Sequence, residues 1–117
     1  MENHLAKGKH ILLDLGECDK FILNDLTELL HILKTACFKS KAKIVGKRFK
    51  IFQPQGISII FLLAESHVSI HTYPESGKAF VDFFTCGDEG FPEIGCNLII
   101  DRLKANKIEK RIIERVI

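Results

Sequence analysis

The chain has 117 residues, 46% hydrophobic and 27% charged, which suits one soluble domain over 1–117 and is too short for two. A net charge of +2 gives no ground for nucleic acid or a membrane surface as partner. The longest apolar run, Ile57 to Ala64, is too short to cross a bilayer, and the N-terminus lacks the apolar core of a secretory signal, so a cytoplasmic protein is expected.

His10 to Leu15 reads as a first strand closed by Gly16. Apolar residues then recur at Ile22, Leu23, Leu26, Leu29, Leu30, Leu33 and Cys37, the spacing of one helix face. Ala42 to Phe52 alternates roughly and predicts a second strand, bent at Gly46. The basic run of Lys39, Lys41, Lys43, Lys47, Arg48 and Lys50 is broken by apolar residues, as on a solvated strand face. After a turn at Pro54-Gln55-Gly56, Ile57 to Ala64 is the most apolar strand and is expected to be central and buried on both faces. His67 to Tyr73 and Ala79 to Thr85 form the next two strands, joined by a turn at Pro74-Glu75-Ser76-Gly77. Phe91-Pro92-Glu93 opens a second helix, with proline at the tolerated first position, and Lys107 to Ile117 is assigned as a last strand.

This order does not alternate as a parallel-sheet fold would. It predicts an α+β two-layer sandwich, a largely antiparallel sheet with two helices on one face. The other face would carry Phe49, Phe80 and Phe84, which suggests a homodimer. The four cysteines form no C-x-x-C pair and are read as reduced, with Cys37 and Cys96 as small core residues.

Polar residues crowd one stretch between apolar strands, Glu65-Ser66-His67-Val68-Ser69-Ile70-His71-Thr72-Tyr73-Pro74-Glu75. His67 and His71 are four apart, a metal-binding spacing on a helix. On a strand the same spacing separates them by ~13 Å, too far for one ion, so no metal is expected there. No G-x-S-x-G elbow surrounds Ser66, which argues against a serine hydrolase. Thr85-Cys86-Gly87 alone is a weak sign of a thiol nucleophile, and a structural cysteine is the commoner outcome.

Taken together with Phe84-Thr85-Cys86-Gly87, Gly8-Lys9-His10 and Gln55-Gly56-Ile57-Ser58, the long stretch is similar to the signature of the small prokaryotic S-adenosylmethionine decarboxylases, a pyruvoyl-dependent family. The resemblance implies that Ser66 attacks the carbonyl of Glu65. That would split the chain into a β chain 1–65 and an α chain 66–117 whose first residue becomes a pyruvoyl group. Such a carbonyl forms a Schiff base with substrate and serves as an electron sink that no standard side chain offers. The resemblance further implies that Ser58 and His71 assist self-cleavage and that Cys86 donates a proton after carbon dioxide leaves. Phe52 and Tyr73 would stack on adenine and Glu75 would bind the ribose hydroxyls; the family usually has tryptophan where Tyr73 stands. The product would feed polyamine (spermidine) synthesis from a homodimer of αβ protomers. A pyruvoyl-dependent arginine decarboxylase and a non-catalytic regulatory paralogue are the alternatives.

Overall fold

Apolar residues at every second position build one sheet with a dry face and an open face, and a computed structural model describes it through residues 7–86 and 91–116. Six strands, β1 (Lys7–Gly16), β2 (Ile44–Ile51), β3 (Ile57–Leu63), β4 (Ser66–Tyr73), β5 (Lys78–Cys86) and β6 (Lys107–Val116), join in the order β2-β3-β4-β5-β1-β6. Every pairing is antiparallel. Helices α1 (Leu26–Lys39) and α2 (Pro92–Arg102) lie on one face, giving the expected α+β sandwich.

Between helices and sheet lies one core. Ile11, Leu13, Ile59, Phe61, Val68, Ile70, Val81 and Phe83 meet Leu29, Ile32, Leu33, Cys37, Cys96 and Ile99 there. Burying side chains of this size is worth about 1.5–3 kcal/mol each relative to exposure. Thr72 is buried with them, and its hydroxyl donates to the Leu23 carbonyl and accepts from Ile57 N–H. Pro92 occupies the first turn of α2, as the sequence predicts.

Three expectations need correction. The first helix does not begin at Ile22: Ile22–Asn24 form a 3-10 turn, and α1 starts only after Asp25, whose carboxylate accepts from Glu28 N–H as an N-cap. The apolar period persisted through a backbone break because both segments bury their apolar side against the same core. Strand β3 is not buried on both faces. It is second from the edge, and Ile60 and Leu62 on the open side are 47% and 58% exposed. Nor does Phe49 share a face with Phe80 and Phe84, because it stands opposite Ile59, a helix-side residue. Gly87 and Ile117, the ends of a predicted motif and strand, lie outside the described residues.

Candidate active site

The proposed cleavage point falls in the tightest connection of the sheet. Leu63 pairs directly with Ser66, so Ala64 and Glu65 alone carry the chain from β3 to β4. Glu65 turns the corner at φ +64°, the left-handed region, which costs a non-glycine residue roughly 1–2 kcal/mol. The strained residue therefore supplies the carbonyl side of the Glu65–Ser66 peptide.

Ser66 begins β4, and its Oγ accepts a hydrogen bond of 3.1 Å from the Cys86 backbone N–H at the end of β5. The serine oxygen is thus held while its own proton stays available. Cys86 is half-buried, unlike Cys18, Cys37 and Cys96 in the core. Burial pushes the thiols of Cys37 and Cys96 up to about 12, which keeps them protonated and inert.

Ser58 and His71 form a second pair. They are direct partners across β3 and β4, with Oγ and Nδ1 2.7 Å apart on the open face. They border a cleft of about 340 Å³ that also takes in Arg48, Lys50, Ile60 and Ser69. Two cations beside a serine–histidine pair make this cleft hospitable to an anionic group.

Within the chain the two pairs do not meet. Ser66 and His71 are five positions apart along one strand, roughly 16 Å at ~3.3 Å per residue, so His71 does not reach Ser66 of its own chain. The residues expected to bind substrate lie at the His71 end. Tyr73 closes β4 with its ring edge-on to Phe80 at 5.7 Å, and Phe52 follows β2, its N–H donating to the Gly56 carbonyl. Both rings are exposed. Glu75 is exposed in the 3-10 turn Pro74–Ser76, on a separate cleft of about 640 Å³ lined also by Lys20, Phe21, Asn24 and Gln55.

A third cluster was not foreseen. His10 and His67 each place Nε2 on the same oxygen of Asp82, at 2.8 and 3.0 Å, while Ser69 donates to the other oxygen. Burial alone would raise the Asp82 carboxyl, but the Ser69, His10 and His67 hydrogen bonds and the His67 charge outweigh it and hold the group below its ordinary value. One signal was available in the sequence: His10 and Asp82 are polar interruptions of apolar strands at open-face positions.

The family model described as S-adenosylmethionine decarboxylase matches residues 9–116. An S-adenosylmethionine decarboxylase proenzyme of Synechococcus sp. (strain WH7803) is 47% identical over 98 residues, covering 84% of this chain and 77% of that protein. A proenzyme of the same name from Clostridium tetani is 41% identical over 92% of this chain and 86% of its own length. The crystal structure of the adenosylmethionine decarboxylase from Aquifex aeolicus VF5 superposes with a TM-score of 0.89 at 34% identity, covering 97% of this chain and 93% of that one. With agreement in sequence along nearly its whole length and in fold, the chain belongs to the S-adenosylmethionine decarboxylase family.

Proposed function

We propose that this protein is a self-processing, pyruvoyl-dependent decarboxylase of S-adenosylmethionine, whose product serves polyamine synthesis. Family membership supports the reaction, and one local observation carries the processing step: a left-handed Glu65 immediately precedes a Ser66 whose oxygen is held by Cys86 N–H. Attack of Ser66 Oγ on the Glu65 carbonyl breaks the peptide C–N bond and forms an ester. Elimination then releases Glu65 as the carboxylate end of the 1–65 chain. Uptake of one water and loss of ammonia leave the pyruvoyl group on residue 66. Cleavage also relieves the left-handed strain at Glu65.

The residues present fit such a group. Ser66 follows a two-residue turn at a strand end, so a new terminus there keeps the rest of β4 in its register. Once formed, the pyruvoyl carbonyl supplies the electron sink for loss of carbon dioxide. Cys86, beside Ser66, is suited to hand a proton to the substrate's α-carbon. Phe52 and Tyr73 offer aromatic faces for adenine and for the sulfonium charge, and Glu75 offers a carboxylate for ribose hydroxyls. Tyrosine at position 73 preserves a stacking face.

The separation of the two pairs supports a homodimer of αβ protomers in which open faces pack together. A two-fold axis makes each contact reciprocal, so the Ser66–Cys86 end of one copy meets the Ser58–His71–Tyr73 end of the other. Ile60, Leu62, Tyr73 and Phe80, all large and exposed on that face, supply apolar surface for it. His71 would then move protons for Ser66 of the opposite copy, a task suited to an imidazole, which ordinarily titrates near neutral pH. No helix among the described residues is long and apolar enough to cross a membrane, and unpaired Cys18, Cys37, Cys86 and Cys96 suit the reducing cytoplasm.

Intact mass of the purified protein tests this reading. Two fragments meeting at Glu65/Ser66, the second carrying a pyruvoyl end, are expected, together with carbon dioxide release from S-adenosylmethionine. Ser66→Ala should remain one chain. A wild-type chain that stays whole and inert on prolonged incubation would refute the assignment.

A further inference from the structure

We propose that His10 Nε2, His67 Nε2 and Asp82 Oδ2 form a binding site for a late first-row divalent cation such as Zn²⁺. The exclusion drawn from the sequence concerned His67 with His71, neighbours on one strand. The sheet instead gives His67 a partner from β1, 57 positions away in the chain, and places a carboxylate between them.

Strand register is the reason the three meet. His10 and His67 both stand opposite Phe84, from β1 and β4 on either side of β5, and Asp82 is the next open-face residue of β5. Phe84 packs against both imidazoles, with ring centroids at 5.3 and 5.8 Å. Ser69 ties down Oδ1 and leaves Oδ2 directed at the two nitrogens. Oriented ligands on rigid strands, with the carboxylate held by an outer hydrogen bond, are what a metal site requires.

The distances are close to those an ion needs. Two ligands at the tetrahedral angle, each ~2.1 Å from zinc, lie about 3.4 Å apart. The N–O hydrogen bonds of 2.8 and 3.0 Å would each open by about half an ångström to admit it. All three ligand atoms fall within 4.8 Å of one another, and the two nitrogens would draw together to about 3.4 Å on a tetrahedral ion, a shift that swinging the imidazoles about their side-chain bonds supplies. Binding would displace the Nε2 protons that now bridge to Asp82. Two imidazoles and one carboxylate on one side of an ion select zinc, cobalt or nickel over magnesium or calcium, which prefer oxygen. In the single protomer, side-chain exposures of 17%, 33% and 24% open the site to this sheet face, so an ion can enter before two copies close over it. The nearby cations are engaged elsewhere, Arg115 over the Phe84 ring and Arg111 with Asp14.

The site stands without the decarboxylase reading. Where that reading holds, the ion gains a further role: His10 lies before the cleavage point and His67 and Asp82 after it, so one ion would clip the two chains together.

The test uses the full chain without a histidine tag, stripped by chelator and titrated with Zn²⁺ by calorimetry. One ion per chain is expected, with a rise in melting temperature. His10→Gln and His67→Gln keep a hydrogen-bond donor to Asp82 but lose the imidazole, and each should weaken binding by roughly 100-fold or more. His31→Gln, on α1, should bind as the wild type does. X-ray absorption of the zinc-loaded wild type must show two imidazoles, a readout independent of how any variant folds. Absence of saturable binding, unchanged affinity in both glutamine variants, or a zinc shell without imidazole would each overturn the proposal.

Discussion

Ser58 and His71 face each other directly across β3 and β4 with a 2.7 Å contact, yet His71 stands five positions along the same strand from Ser66, the residue it is proposed to serve. A rigid strand in the middle of a sheet cannot fold back over that distance. If both residues act in one step, they act from different copies.

Complementation between two defective chains is the resulting prediction. In the proposed mechanism, chains carrying Ser66→Ala are not cut and chains carrying His71→Ala lack the proposed helper. Co-expressed, they form mixed dimers in which the His71→Ala chain meets an intact His71. With random pairing of equal amounts, about half of the His71→Ala chains should be cleaved, as read by intact mass. Cleavage no greater than in His71→Ala alone would place the helper in the same chain and remove the reciprocal arrangement.

Cys86 makes two contributions that one substitution separates. Its backbone N–H holds Ser66 Oγ, and its thiol is the proposed proton donor. Cys86→Ala keeps the first and removes the second. Self-cleavage should therefore continue at least in part, while turnover falls by ~10²–10⁴-fold, the usual contribution of a positioned acid. Full decarboxylase activity in the cleaved variant would take the thiol out of the mechanism.

Alkaline pH provides a third test. Burial raises Cys37 and Cys96 from the ordinary 9.0 to about 12 in the folded protein. Once unfolded, these thiols ionise near 9, so between pH 9 and pH 12 the unfolded chain holds fewer protons and stability falls as pH rises. Below pH 9 their contribution is fully present. Denaturant midpoints should drop across that window, and the drop should be shallower in Cys96→Ala than in wild type. Iodoacetamide near pH 8.5 should label half-buried Cys86 well before the three core cysteines. Equal labelling of all four in the folded protein would contradict the burial argument.

How much of this could be read from the chain follows from what is local. Alternation placed His67, Ser69 and His71 opposite Val68 and Ile70, and the sheet keeps them there, because side-chain period is a property of the strand itself. The order of elements was sufficient for the two-layer architecture. Strand order was not legible, and it decides that β3 is next to an edge and that Ile60 and Leu62 stay exposed. Nor was the Asp25 cap, since the apolar spacing continues across it. The His10–His67–Asp82 cluster is non-local in the fullest sense: three strands contribute, and no spacing within the chain relates them.

Helix packing behind the site gives the last prediction. Gly95 on α2 is buried against α1, and its N–H donates to Ser40 Oγ at 2.9 Å. A Cβ there would collide with Ser40 Oγ and lie 2.9 Å from the Ala36 carbonyl oxygen and 3.0 Å from Phe83 Cε2. Alanine would gain up to ~1 kcal/mol in helix propensity over glycine, but overpacking a tight contact against backbone typically costs about 1–3 kcal/mol. The clash wins because a carbonyl held in α1 and a core phenylalanine cannot move aside. Gly95→Ala should melt several degrees below wild type, at roughly 4 °C per kcal/mol in a domain of this size. Gly46→Ala is the matched control, since a Cβ there meets Leu62 Cβ at an ordinary 3.7 Å and should leave the melting temperature nearly unchanged. A Gly95→Ala chain as stable as wild type would mean that α1 and α2 can separate freely, and the close approach would then not be what fixes the helices over the sheet.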